Sequence, residues 1–313
     1  MVRAFNLNLN NWSNNMIKIQ AQLDAFQAIY KPNVLGRDIQ DAGLLKALSK
    51  VNLFTKAASS AKLAKNLKFT KYESYILYMS PATMAFDFIG RRGTLCPFAS
   101  DGCKAACLNT AGRGRFSSVA NARLRKALYF ITYRDVFVAH VFSEVAKLRA
   151  KAIKNKTKLV IRLNGTTDIN WMQPTHNGAN IFDTFKDVQF YDYTKNLQYA
   201  LKANAGYKNY NVTFSASEVN HLQVGAALDA DINVAMVFNA PVTTWQGDKV
   251  INGDDHDLRF LDGKFERGVI VGLTAKGNAK KDKSGFVRST CGGPRITQKV
   301  VLNFMDVKNM KGA

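Results

Sequence analysis

Five short apolar runs recur at intervals of roughly 20–30 residues through the second half of the chain: KLVIRLN (158–164), VQFYDYT (188–194), YNVTFSAS (210–217), INVAMVFN (232–239) and GVIVGLTAK (268–276). Helical or loop segments such as ANIFDTF, KNLQYALKAN and VNHLQVGAALDA separate them. Strands that alternate with helices pair in parallel, because a tight turn can return a chain only antiparallel to itself. A further strand, SYILYMSP (74–81), precedes them. About six strands fall short of a closed eight-stranded barrel, so the expected fold is α/β, a partial or irregular (β/α) barrel. Most of the runs turn from apolar to polar at their carboxyl ends, where parallel sheets carry their functional groups. Arg162, Asn164 and Asp192 sit at such ends and Asp168 just beyond one, and these four are the candidate catalytic residues. Ser215 and Ser217 are candidates for contacting a cofactor.

Between the first strand and the rest lies DFIGRRGTLCPFASDGCKAACLNTAGRGRF (87–116), with Cys96, Cys103 and Cys107 in a C-x6-C-x3-C pattern. No signal-like apolar stretch opens the sequence and no window approaches the ~20 apolar residues of a membrane span, so an intracellular, non-membrane protein with reduced thiols is expected. Three thiols in one polar, glycine-containing loop read as ligands for a soft metal or cluster, and Gly93 and Gly102 let the backbone fold round it. Arg91, Arg92 and Lys104 are expected to favour thiolate. Cys291, in STCGGPR, can complete a four-ligand site, either structural zinc or a closed cluster. Without it, three ligands leave one iron open. The spacing departs from the C-x2–4-C pairs of zinc loops, so an iron–sulfur cluster, 4Fe–4S, is the first expectation and zinc the alternative.

Charge divides the chain. Of the net +21, residues 71–158 carry sixteen basic against five acidic side chains, a net of +11, whereas residues 159–260 carry seven against eleven, a net of −4. A basic half beside an acidic segment points to a polyanion-binding face, with nucleic acid the expected partner. The expected contacts are Arg91, Arg92, Arg113, Arg115, Arg123 and Lys126. Several of these flank a helix start, with Ser117 or Ser118 as N-cap and Gly112 and Gly114 beside it, a phosphate-binding arrangement; a solvated helix face accounts for Arg123 and Lys126 equally well. That helix should run to about residue 155 with a break near Tyr133. Tyr129 and Tyr133 have the spacing of paired tyrosine nucleophiles, but His140, His176, His221 and His256 are isolated from one another, so helix packing is the better reading. The acidic DDHD run, Asp254 to Asp257, is expected to precede a strand LRFLD; with Asp168 and Asp192 it could converge at one rim of the sheet as bases or cation ligands, but solvated or capping acids are the better reading. Residues 1–70, net +7, read as a basic helical extension ahead of an α/β domain over 71–313.

The stretch CPFASDGCKAACLNTAGRG, with RLNGTTDINW, VQFYDYTKN, VTFSASE, INGDDHDLRFLDG and GVIVGLTAKGNAKKDKSGF, resembles a family of bacteriophage-encoded proteins of unknown function, some labelled rolling-circle replication proteins. The likeness spans residues 72–287 and implies a protein of the host cytoplasm, or one associated with the virion. A fainter likeness is to radical S-adenosylmethionine enzymes, which place three cysteines after the first strand of a (β/α) barrel. That likeness implies that Cys96, Cys103 and Cys107 carry a four-iron, four-sulfur cluster. Two functions are therefore expected: a metal-containing phage protein acting on nucleic acid in replication, packaging or assembly, or an enzyme with an open cluster and a pocket at the strand ends. A virion or assembly component without catalysis is the third.

Overall fold

A computed structural model describes residues 51–56, 71–263 and 265–290. The chain divides into two compact units, Met1–Asn52 and Leu53–Ala313, and every strand and helix described lies in the second. The elements in chain order are β1 (Phe54–Lys56), β2 (Tyr72–Leu77), α1 (Met84–Phe88), α2 (Asp101–Ala105), α3 (Ser117–Thr132), α4 (Arg134–Lys154), β3 (Lys158–Arg162), β4 (Thr175–His176), β5 (Ala179–Asn180), α5 (Ile181–Thr184), β6 (Gln189–Thr194), α6 (Leu197–Gly206), β7 (Tyr210–Ser215), α7 (His221–Asp229), β8 (Val234–Phe238), β9 (Thr244–Trp245), β10 (Asp248–Asn252), β11 (Ile270–Thr274) and β12 (Val287–Arg288).

Among the described residues, ten strands form one sheet in the order β1-β2-β3-β6-β7-β8-β11-β10-β9, with β12 also paired to β8. The six sequence-predicted strands are its parallel centre, and they lie side by side in chain order. That order never reverses, unlike a doubly wound sheet, and belongs to a (β/α) barrel that stays open. Burial explains why the runs are so apolar: Leu159, Val160 and Ile161 of β3 and Val234, Ala235 and Met236 of β8 are all buried, as strands covered on both faces must be. Helix α4 presents Phe137, Val138, Val141, Phe142 and Val145 to the core, a stripe at helical spacing. The chain breaks between α3 and α4 at Tyr133 (φ −130°, ψ 57°), as the sequence predicts.

Three expectations are corrected. Residues 54–56 are not helical: they are the edge strand β1, antiparallel to β2, and Leu53 beside them is fully buried with its N–H donated to Glu144. Residues 1–50 and 57–70 of the expected helical extension, and Cys291, lie outside the described residues. LRFLD is not a strand, since Arg259–Leu261 form a single 3-10 turn. Neither serine caps α3, because Phe116 occupies the N-cap and no side chain bonds there.

One irregularity shapes the rim of the sheet. β8 pairs with β7 only through Val234 and Ala235, and with β12 through Val237 and Phe238. β12 thus takes the place β7 vacates at its carboxyl end. The chain after Ser215 is pushed aside, with Arg288 donating to the Ser217 carbonyl at 2.6 Å.

Candidate functional site

A cavity of about 220 Å³ opens at the carboxyl ends of the parallel strands. One wall is made of strand ends: Arg162 and the loop Asn164–Asp168 after β3, Tyr193–Lys195 of β6, Ser215 of β7, Ala235 and Val237 of β8, and Leu273 and Thr274 of β11. The opposite wall is the cysteine segment, with Cys96, Ala99, Cys103, Ala106, Cys107 and Leu108. Asp254, Lys276, Ala279 and Phe286 complete it.

The three cysteines reach this cavity from three different local structures. Cys96 lies in the loop after α1, its Sγ accepting from the Ala82 N–H at 3.3 Å and 3.7 Å from the Thr166 carbonyl. Cys103 is in the middle of α2, and Cys107 caps a 3-10 turn, its Sγ accepting from the Asn109 N–H at 3.5 Å. They are close enough that a charge on Cys103 disfavours ionisation of both Cys96 and Cys107, and a charge on Cys107 that of Cys96. Burial pushes the Cys96 thiol up to about 12, and it also raises Cys107, against the pull of Lys195 and Arg123. The expectation that Arg91, Arg92 and Lys104 favour thiolates is therefore overturned for Cys96 and Cys107. Both arginines are exposed, and Lys104 pairs with Asp101 at 3.0 Å. Desolvation outweighs distant, solvated cations. A metal ion would have to displace these protons with its own charge. Among the described residues, no three His, Cys, Asp or Glu side chains are gathered in a group that could hold a metal ion as they stand.

The α2 turn is held to the sheet by a residue that sequence reasoning did not single out. Glu218, beyond β7, accepts from the Gly102 N–H at 2.8 Å and from the Ser100 hydroxyl at 2.7 Å. The Ser100 oxygen in turn caps α2 by accepting from the Cys103 N–H at 3.2 Å. Gly102 has no room for a Cβ, which would lie 2.8 Å from the Glu218 carboxyl carbon and against the Ser284 hydroxyl.

The strand-end candidates separate into pocket and support. Asp168 lines the cavity; its carboxylate accepts from the Lys195 N–H at 3.0 Å and burial raises its pKa, while its own N–H ties to the Leu95 carbonyl beside Cys96. Asn164 organises the loop it begins: Oδ1 accepts from Thr167 and Ile169, and Nδ2 donates to Ile169. Asp192 lies behind this wall, wholly buried, accepting from the Asn164 N–H at 2.8 Å and from the Tyr210 hydroxyl at 3.2 Å. Burial pushes it up to about 7 even though Arg162 lies 3.9 Å away. Arg162 bonds Asp257 at 3.1 Å and lies over the Tyr193 ring at 4.5 Å, and Asp257 also accepts from the hydroxyls of Tyr191 and Tyr193.

The acidic groups do not converge as one cluster. Asp254 and Asp168 line the cavity, whereas Asp192 and Asp257 flank Arg162 beneath it. Ser215 lines the cavity and accepts from Lys195 Nζ at 3.0 Å; Ser217 is buried outside it. Lys195 and Lys276 are cavity cations the sequence reading passed over, although each follows the last residue of a parallel strand by one or two positions.

The residues expected to touch nucleic acid also divide. Arg91, Arg92, Arg113 and Arg115 are exposed. Arg123 is turned inward to Asn109 at 2.6 Å and over the Tyr78 ring. Lys126 is buried, its Nζ donating to the Leu53 carbonyl at 3.0 Å, and burial pushes its pKa down to about 8. Tyr129 is buried with its ring edge-on to Phe137.

Among the described residues, no helix is long and apolar enough to cross a membrane. No curated protein and no solved structure matches the chain. The family model for gene product 88, a phage-type family of unknown function, matches residues 52–290, which take in every strand and helix of the described sheet unit. The chain belongs to the gene product 88 family.

Proposed function

We propose that this protein is a metalloenzyme whose rim pocket binds a small ligand beside an iron–sulfur centre held by Cys96, Cys103 and Cys107. The observation that carries the reading is that three thiols from three separate local structures line one cavity together with the polar strand ends. Three soft donors suit iron–sulfur ligation and leave a coordination position for a ligand. The apolar surface of Ala99, Ala106, Leu108, Val237, Leu273 and Phe286 sheds water, and a few charged groups among it are what a ligand pocket needs for orientation. A bound cluster would supply one-electron chemistry or Lewis acidity at its open iron. The chain's own part is to position and bind: Glu218 and Ser100 fix the turn carrying Cys103, Asn164 shapes the facing loop, and Lys195 offers a cationic group to a ligand while Lys276 is paired with Asp254 at 2.5 Å.

The test is anaerobic purification of the full chain with iron, zinc and sulfide analysis and an absorption spectrum. Iron with matching sulfide and a visible charge-transfer band is expected, lost in each of Cys96→Ser, Cys103→Ser and Cys107→Ser. Cys291→Ser should retain the centre; its loss there would mean a closed four-thiolate site, and zinc without sulfide a structural one. A reduced centre whose spectrum responds to added S-adenosylmethionine would identify the open iron as the place where that cofactor binds. Metal content unchanged in all three thiol variants would end the proposal.

A further inference from the structure

Seven large hydrophobic side chains are exposed among the described residues, and four of them, Met84, Phe98, Leu108 and Phe116, lie within the segment that carries the cysteines. Phe116 is 60% exposed and Phe98 49%, so these rings are not core residues at a ragged edge. Met84, Leu108 and Phe116 are tied together through Asn109. Asn109 donates to the Met84 sulfur, its carbonyl packs against Gly114 too closely for any Cβ, and its side chain accepts from Arg123. Gly93 packs against the Phe86 ring in the same way, which brings Arg91 and Arg92 alongside α1.

The charge on this region is one-sided. Residues 84–125 carry seven Lys and Arg against two acids. Both acids are engaged, Asp101 with Lys104 and Asp87 with the Thr83 hydroxyl. Among the described residues no carboxylate lies within ion-pair distance of Arg91, Arg92 or Arg115.

We propose that this surface binds single-stranded nucleic acid, which it leads past the mouth of the cavity. Exposed aromatic and apolar side chains interleaved with arginines are what a flexible strand requires, bases stacking on the rings while guanidiniums take the phosphates. An acidic protein surface would find the same charge and could also cover the rings, so polyglutamate is the competitor that separates the two. Leu108 belongs both to this surface and to the cavity wall, so a docked strand runs beside the pocket. Binding of this kind does not require the metal centre.

The measurement is fluorescence anisotropy of the full chain with a labelled 20-nucleotide oligothymidine, its duplex counterpart and polyglutamate. Three to five phosphate contacts give a log–log salt slope of about −2 to −3.5 for a single strand. Phe116→Ala should weaken binding about 5- to 150-fold, the loss of one stacked base. Arg91→Glu with Arg92→Glu should weaken it at least about 10-fold and flatten the slope. Arg91→Gln with Arg92→Gln, with circular dichroism melting as control, guards against misfolding of the charge-reversed form. Wild-type affinity in the Phe116→Ala and Arg91/Arg92 variants overturns the proposal, whichever other basic segment then holds the strand. So does polyglutamate binding as tight as the oligonucleotide, which would make the surface one for acidic protein, or duplex binding as tight as single strand.

Discussion

Removing the Glu218 carboxylate should loosen the cysteine segment more than any surface substitution nearby. Its two oxygens accept from the Gly102 N–H at 2.8 Å and the Ser100 hydroxyl at 2.7 Å, and the Ser100 oxygen receives the Cys103 N–H. Hydrogen bonds to a charged group contribute about 1.5–3 kcal/mol each, but Glu218 is only half-buried and water recovers part of that. In Glu218→Ala the Gly102 N–H, on a buried residue, is left without its acceptor. The net destabilisation should be about 2–3 kcal/mol. Glu218→Gln keeps an acceptor for Gly102 and should lose only about 1 kcal/mol. Urea unfolding of the reduced, metal-free chain reads this as a lower midpoint at unchanged slope, and the reaction rate of Cys103 with a disulfide reagent should rise together with it. A midpoint shift worth under about 0.5 kcal/mol in Glu218→Ala, with thiol reactivity unaltered, would refute the claim that this carboxylate positions the turn.

Arg162→Met strands Asp257 and Asp192 in the interior without their cation, and should destabilise the fold by about 3–5 kcal/mol; adding Asp257→Asn should restore part of the loss, and a single variant within about 1 kcal/mol of the parent would show that the pair does not hold the sheet. Lys126 makes a pH-dependent contribution. Its folded pKa of about 8 lies below the ordinary lysine value of 10.5, so between those values the unfolded chain binds more protons and stability should rise with pH, with the full penalty present below about pH 8. Lys126→Met should flatten that rise in urea unfolding compared at pH 7 and 9.5; an identical pH dependence in parent and variant would refute the assignment.

The parallel centre of the sheet was legible because strands covered on both faces must be continuously apolar, and KLVIRLN, INVAMVFN and their counterparts are. The break at Tyr133 and the strand-end position of Arg162, Asn164 and Asp168 followed from local pattern in the same way. The sequence also placed three thiols in one loop, and short chain separation alone keeps them near each other.

Tertiary structure decided which charges meet water. Lys126 reads as a solvated helix cation until Leu53, 73 residues away, lies over it. Asp257 looks like one member of an acidic run until Arg162, 95 residues earlier, draws it inside while Asp254 three positions before it faces the cavity. Glu218 and Cys103 are 115 positions apart and share one hydrogen-bonded turn through Ser100. Hydrophobic periodicity is a property of neighbouring residues and can be read along the chain. Desolvation and ion pairing depend on what packs from elsewhere, and only the folded sheet brings those partners within reach.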